Sequence, residues 1–401
     1  MNERSETPPR RISIFGATGS IGCNTLDVIS HLGGRDKFQV VAVTGRRNID
    51  LLARQAREHG AEIAVTADEA RYQDLKQALS GSGIEAAAGP DALTAAAERD
   101  TDWFMAGIVG MAGLAPTLAA ARRGADIALA NKECLVSAGA LFHSEIARGG
   151  GRLLPVDSEH NAIHQVFDRS QPHSIERIIL TASGGPFRVL GLDEMAAVSP
   201  DSAAAHPNWS MGTKISIDSA SMFNKALEMI EAMHLFDMRP DRIEVIIHPQ
   251  SVVHSMVGYS DGSVLAQLGT PDMRTAIGYS LAYPRRPSLP VERLDFARLA
   301  RLDFEAPDEH RFPSLSLARR AMQEGGLSGA ILNGAKEIAL DAFIGRRIGF
   351  LEMADVVADV MDRLGSGGAA IAIGDVYAAD DNARRLANEL VVARSAKSAA
   401  G

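Results

Sequence analysis

Asp157 and Glu159 in LLPVDSEHNAI and Glu228 in SASMFNKALEMIEA place three carboxylates in two short blocks about 70 residues apart. The run Leu153 to Val156 reads as extended chain, in which residues two apart face one side, so Asp157 and Glu159 converge if that geometry continues. Carboxylates packed together repel one another. A divalent cation is the simplest neutralising partner, and all-oxygen ligation without a nearby cysteine points to Mg²⁺ or Mn²⁺ rather than Zn²⁺. An acidic pair alone is more often a solvated loop, so the neighbouring residues decide.

Those neighbours suit an anion. Asn224, Lys225 and Glu228 are three and four apart, so a helix carries all three side chains on one stripe. Lys225 and Asn224, with Ser219 and Ser183, supply the charge and the hydroxyl or amide donors that phosphate oxygens need. Gly184 and Gly185 free the backbone to approach the same anion. A Ser-Gly-Gly is usually only a turn and a mid-helix lysine usually a surface residue, but here they recur close to the acidic blocks.

Upstream, Gly16, Gly19 and Gly22 of GATGSIG follow a strand-like run and open a helix-like one, the setting of a phosphate-cradling turn, although GxxGxxG departs from GxGxxG. Thr18 and Ser20 add hydroxyls at the helix start. The next strand ends in Thr44, Gly45, Arg46, Arg47 and Asn48, with two arginines where an NAD site has an acid; that favours a 2′-phosphate and hence NADPH. Asn131 and Glu133 follow another strand, at a carboxyl end of the sheet where a nicotinamide ribose would sit. Ile21 and Gly212 complete the candidate cofactor set.

Taken in order, GATGSIG, NKE at 131–133, LPVDSEHNAI, SGGPF, HPNWSMG, NKALE and HPQSVVHSM resemble the 1-deoxy-D-xylulose 5-phosphate reductoisomerase family, from Arg11 to about Val392. The resemblance implies NADPH- and metal-dependent rearrangement and reduction of 1-deoxy-D-xylulose 5-phosphate to 2-C-methyl-D-erythritol 4-phosphate, for isoprenoid synthesis. It implies that Asp157, Glu159 and Glu228 hold Mg²⁺, Mn²⁺ or Co²⁺, and that Lys132 and Ser158 reach the same substrate oxygens. Ser183, Ser219, Asn224 and Lys225 then hold the phosphate, and His206, Trp209 and Met211 form a lid that excludes water. A homodimer is implied as well. Either a retro-aldol and aldol pair or a concerted shift suits these residues. Three departures from the family pattern stand out: Ala226 for Gly, Thr213 for a basic residue, and NGAKE at 333–337 for NAANE; only Ala226 is expected within the site. His248 and His254 flank PQSVV, and a lone histidine is more often structural, so His248 is left out of the site.

The elements that must position these residues follow from the whole chain. Its 401 residues, 46% hydrophobic and 23% charged, suffice for two or three domains. A net charge of −9 argues against nucleic acid as the main partner. Two cysteines rule out a disulfide framework or a cysteine zinc site and suggest cytoplasm, and the polar leader MNERSETPPR lacks a signal-peptide core and reads as a disordered tail. No run is long and apolar enough to span a membrane. The expected architecture is α/β: a doubly wound NADPH-binding domain over 11–156, an α+β catalytic domain over 157–282, a linker over 283–313 and a helical bundle over 314–393. Strands are expected at 11–15, 38–44, 63–66, 103–108 and 127–130, then at 177–181, 243–248, 252–259 and 263–268. Two other readings stand beside this one. A homoserine-dehydrogenase-like oxidoreductase would need no carboxylate metal site, and a non-catalytic NADPH-sensing regulator would form no product.

Overall fold

The computed structural model describes residues 8–205 and 212–400. The first seven residues of the leader and the expected lid residues His206, Trp209 and Met211 lie outside the described residues. Chain contacts divide the molecule into two compact units, each assembled from separate stretches.

The first unit comprises 1–131, 142–161 and 272–292. Its sheet contains β1 (Arg10–Phe15), β2 (Phe38–Gly45), β3 (Ile63–Thr66), β4 (Glu85–Ala88), β5 (Trp103–Ala106), β6 (Asp126–Leu129) and β7 (Leu153–Pro155). All neighbours are parallel, in the order β4-β3-β2-β1-β5-β6-β7. Strands such as β3 and β5 are buried along their whole length, as the central strands of a sheet covered on both faces must be. The order reverses between β1 and β5, and in open α/β sheets ligands bind in the crevice at such a reversal. The core brings Ile12, Ile14, Leu26, Ile29, Trp103 and Met105 together with Ile277 and Leu281 of the late helix Met273–Ala282. That helix packs on Ser20–His31 and on β6 and β7, so part of the segment expected in the catalytic domain belongs to this unit.

The second unit comprises 132–141, 162–271 and 293–401 and contains both the mixed sheet and the C-terminal helices. β8 (Ile175–Ala182), β9 (Ile243–Ile247), β10 (Val253–Tyr259) and β11 (Val264–Leu268) lie in the order β11-β10-β8-β9. β10 is antiparallel to both β11 and β8, whereas β8 and β9 run parallel. The Phe223–Phe236 helix is buried almost all round, which suits a helix placed inside a unit rather than on its surface. Behind it stand Ser314–Glu324, Ser328–Ile344, Glu352–Leu364 and Ile373–Ala400.

Most expected strands appear within a residue or two. β5 stops at Ala106 instead of running to Ile108: Gly107 N makes the last ladder bond, to the Phe15 carbonyl at 2.9 Å, and the chain then enters a glycine-rich loop. β4 is additional: EAAA has the composition of a helix, and its pairing with β3 overrides that preference. β7 ends at Pro155 and the Ser158–Val166 helix follows, so strand geometry does not carry through to Glu159.

Candidate active site

Gly16 terminates β1 at φ 87°, a conformation few other residues adopt, and a Cβ there would lie 2.5 Å from the Gly107 carbonyl oxygen. A Cβ on Gly22 would meet Ala17 and the Gly16 oxygen at 2.4 Å, so this glycine lets Ser20–His31 pack against the loop. Gly19, by contrast, is exposed, with its nearest such contact at 3.4 Å. One glycine thus makes the turn, one allows close helix packing and one leaves room for an approaching anion, despite the altered spacing. Ser20 is exposed at the helix start, Ile21 is half-buried behind it, and Thr18 packs against Gly45. Thr44 ties β2 to this loop through its hydroxyl, which accepts from Gly16 N at 2.9 Å.

Past the end of β2, Arg46 and Arg47 are exposed, and Asn48 caps the Ile49–His59 helix by accepting from Leu51 N at 3.1 Å. Asn131 is buried, and its amide donates to the carbonyls of Ile108 and Gly110, the latter at 2.9 Å. It therefore braces the loop after β5, on the other side of the strand-order reversal. That loop, AGIVGMAG, escapes the sequence reading because Trp103 to Ile108 looks like one strand; its cluster of glycines beside GATGSIG is the signal that could have found it.

Asp157 works as an N-cap. Its carboxylate accepts from Glu159 N at 3.2 Å and its carbonyl from Asn161 N at 2.8 Å. The turn, not a strand, brings the two acids together, with one oxygen of each within 4.8 Å of the other. The Ser158 hydroxyl donates to Glu159 at 2.5 Å. Next in the turn, the fully buried His160 places Nδ1 3.4 Å from Asp157.

Lys132, Asn224, Lys225 and Glu228 meet in the second unit. Lys132 Nζ donates at 2.9 Å both to Asn224 Oδ1 and to Glu228 Oε1, the Asn224 amide donates to Glu228 Oε1, and Lys225 donates to Glu228 Oε2. Glu228 is wholly buried, and two ammonium groups and an amide offset its desolvation. The geometry begins one residue upstream of the helix, at Met222, whose φ of 61° bends the chain sharply between Thr213–Ala220 and Phe223–Phe236. The Ser314 hydroxyl holds this bend through the Ser221 carbonyl at 2.8 Å. Ser219 is in the last turn before it. Gly184 and Gly185 both have positive φ, and a Cβ on Gly185 would come within 2.9 Å of the Ser219 oxygen, so the Ser183 loop lies directly against that turn. Ser183 Oγ accepts from Gly185 N at 3.2 Å.

Other expected residues are more scattered. Gly212 is exposed at the N-cap of Thr213–Ala220, Thr213 is exposed beside it, and Ala226 is fully buried. Glu133 is in the second unit, where burial pushes its carboxyl up against the opposing pull of Lys336. His248 takes a structural place: its Nδ1 is 2.8 Å from the Asp303 carbonyl and its ring stacks on Phe304. The NGAKE segment is not remote from the site. Lys336 Nζ donates at 2.9 Å to Asp218, the residue before Ser219, and the pair spans 118 positions of sequence that local spacing does not connect.

Family models for 1-deoxy-D-xylulose 5-phosphate reductoisomerase match residues 12–139, those for its C-terminal domain match 153–236, and those for the DXP reductoisomerase C-terminal domain match 268–386. The chain belongs to the 1-deoxy-D-xylulose 5-phosphate reductoisomerase family. The reductoisomerase of Rhizobium meliloti (strain 1021) is 72% identical over 382 residues, covering 95% of this chain and 98% of that protein. The Rhizobium etli (strain CIAT 652) reductoisomerase is 67% identical over 386 residues, 96% of this chain and 98% of its own length. Among solved reductoisomerases, the Zymomonas mobilis structure in complex with NADPH superposes with a TM-score of 0.90 at 51% identity, over 96% of this chain and 99% of that one. A reductoisomerase structure with NADPH, fosmidomycin and magnesium gives a TM-score of 0.90 at 40% identity, over 95% of this chain and 98% of that one.

Proposed function

We propose that the chain catalyses the NADPH- and divalent-metal-dependent rearrangement and reduction of 1-deoxy-D-xylulose 5-phosphate to 2-C-methyl-D-erythritol 4-phosphate. The observation that carries this reading is the 72% identity to a named reductoisomerase over nearly the full length of both chains. Asp157, Glu159 and Glu228 would hold the cation: their carboxylates are hard oxygen donors that fit Mg²⁺, Mn²⁺ or Co²⁺ and include no soft ligand for zinc or copper. When bound, such a cation supplies Lewis-acid polarisation of the substrate carbonyl and a template for its neighbouring oxygens, and NADPH supplies the hydride.

The chain's own residues do the rest. Lys132 and Ser158 donate to the sugar oxygens. Ser183, Ser219, Asn224 and Lys225 hold the phosphate, whose binding energy orients carbons several bonds away. Support comes from the knot around Glu228, where Lys132, Asn224 and Lys225 share one carboxylate and so are gathered before any substrate arrives. Arg46 and Arg47 take the 2′-phosphate, with Gly45 and Asn48 beside them. Gly16, Thr18, Gly19, Ser20 and Ile21 receive the pyrophosphate, and Asn131, Glu133 and Gly212 the nicotinamide half. His206, Trp209 and Met211 close over the substrate. In domain terms, 11–156 serves the cofactor, 157–282 the metal and sugar phosphate, 283–313 links, and 314–393 supports. The enzyme acts as a homodimer in the cytoplasm. No helix among the described residues is long and apolar enough to cross a membrane.

The experiment is NADPH oxidation with 1-deoxy-D-xylulose 5-phosphate, with and without chelator, and identification of the product. Turnover that stops with chelator and returns with Mg²⁺ is expected. NADPH oxidation indifferent to chelation, or oxidation without the branched product, would sink the reading.

A further inference from the structure

Lys336 and Asp218 form a buried ion pair that the catalytic reading does not use. Nζ and Oδ2 are 2.9 Å apart and both side chains are almost wholly enclosed. The lysine comes from the Ser328–Ile344 helix and the aspartate from Thr213–Ala220, where it immediately precedes Ser219, whose carbonyl lies against the Gly185 backbone of the Ser183 loop. Glu337, beside Lys336, is engaged by Arg384 at 2.7 Å, and Arg384 also pairs with Asp380 at 2.6 Å. Lys336 hydrogen-bonds Asp218, while Glu133 and Glu337 act on it through charge. Burial would depress a lone lysine, but Asp218, Glu133 and Glu337 together hold it above its usual value, so it keeps its proton.

We propose that Lys336 sets the affinity of the site for a phosphate group by cancelling the buried charge of Asp218 next to Ser219. This rests on the assignment of Ser219 and its neighbours to the phosphate. An uncancelled anion in that turn repels a dianion through a poorly screened interior. Lys336 is a positioning residue: it acts on the substrate through Asp218 and not by contact.

The two charges give the test a sign that packing alone lacks. Lys336→Gln keeps a donor and removes the cation, and it is expected to raise both KM for the sugar phosphate and the half-inhibitory concentration of inorganic phosphate about tenfold, leaving KM for NADPH unchanged. Asp218→Asn leaves the cation uncancelled and lowers both. The double variant returns to within about twofold of wild type, because no net charge has been added. If all three variants weaken phosphate binding alike, or Lys336→Gln leaves it unchanged, the proposal is overturned. Should Lys336→Gln fail to fold, Asp218→Asn and the double variant still carry the opposite-sign test. Ser219→Ala separates the two levels: unchanged phosphate inhibition there refutes the phosphate assignment, whereas a loss there with none in Lys336→Gln refutes this inference alone.

Discussion

A buried carboxylate that accepts from two lysines and an amide, as Glu228 does, is costly to build unless its charge is needed. If the proposed metal assignment holds, Glu228→Gln and Asp157→Asn each remove one hard ligand and should lower kcat/KM on the order of 10³-fold, several kcal/mol of transition-state stabilisation, in the NADPH oxidation assay. Near-normal turnover in both would discard the metal assignment. Lys225→Ala should raise KM for the sugar phosphate and also lower kcat, since phosphate binding orients the reacting end. Steady-state constants matching wild type would argue against it. At this scale the sequence was highly legible: the Asn224, Lys225 and Glu228 spacing predicts their common stripe, and the structure joins all three. The route from Asp157 to Glu159 was not, because a cap after Pro155 replaces the strand. Nor was Lys336, whose partner is set by long-range packing.

At the scale of elements, strands rich in Val and Ile were readable, since β-branched residues suit buried parallel strands; β3 falls at 63–66 as expected. The EAAA strand was not, for its residues favour helix and only its neighbour makes it a strand. The end of β2 carries the next prediction. Replacing Arg46 and Arg47 with glutamine should raise KM for NADPH on the order of 10²-fold or more and KM for NADH little, at roughly 1.5 to 3 kcal/mol per charged contact. Equal effects on both nucleotides would refute the 2′-phosphate assignment. The Ser158–Val166 helix supplies a pH test. Burial, aided by Arg169, lowers His164 to about 4, so the folded form resists a proton that the unfolded chain takes below its ordinary value of 6.5. Stability is therefore lost as pH falls from 6.5 towards 4, by up to about 1.4 kcal/mol per pH unit. His164→Gln should flatten that slope in urea unfolding, and an unaltered slope would exclude His164 as its source.

For the whole molecule, the mass of a chain of 42.6 kDa gives a direct check on assembly. Light scattering on the eluted enzyme should report twice that value, and a monomer at assay concentration would remove the homodimer proposal. The two-unit division was only partly legible. Composition separates an α/β beginning from a helical end, but it does not show that Lys132 to Leu141 joins the later unit or that Asp272 to Glu292 returns to the earlier one. Such exchanges are made by tertiary contacts between residues far apart in sequence, as Lys132 is from Asn224 and Glu228, 92 and 96 positions away.

The late arrival of the Met273–Ala282 helix has a consequence for vectorial synthesis. Ile277 and Leu281 belong to the same core as Ile12 and Ile29, yet they leave the ribosome only after most of the other unit's mixed sheet has been made. At roughly 5 to 20 residues per second, the apolar faces of β6, β7 and Ser20–His31 wait on the order of ten seconds for their cover. A nascent chain in that interval presents unfinished hydrophobic surface, and holdase chaperones should crosslink to it most strongly in ribosome-stalled chains that stop short of Asp272.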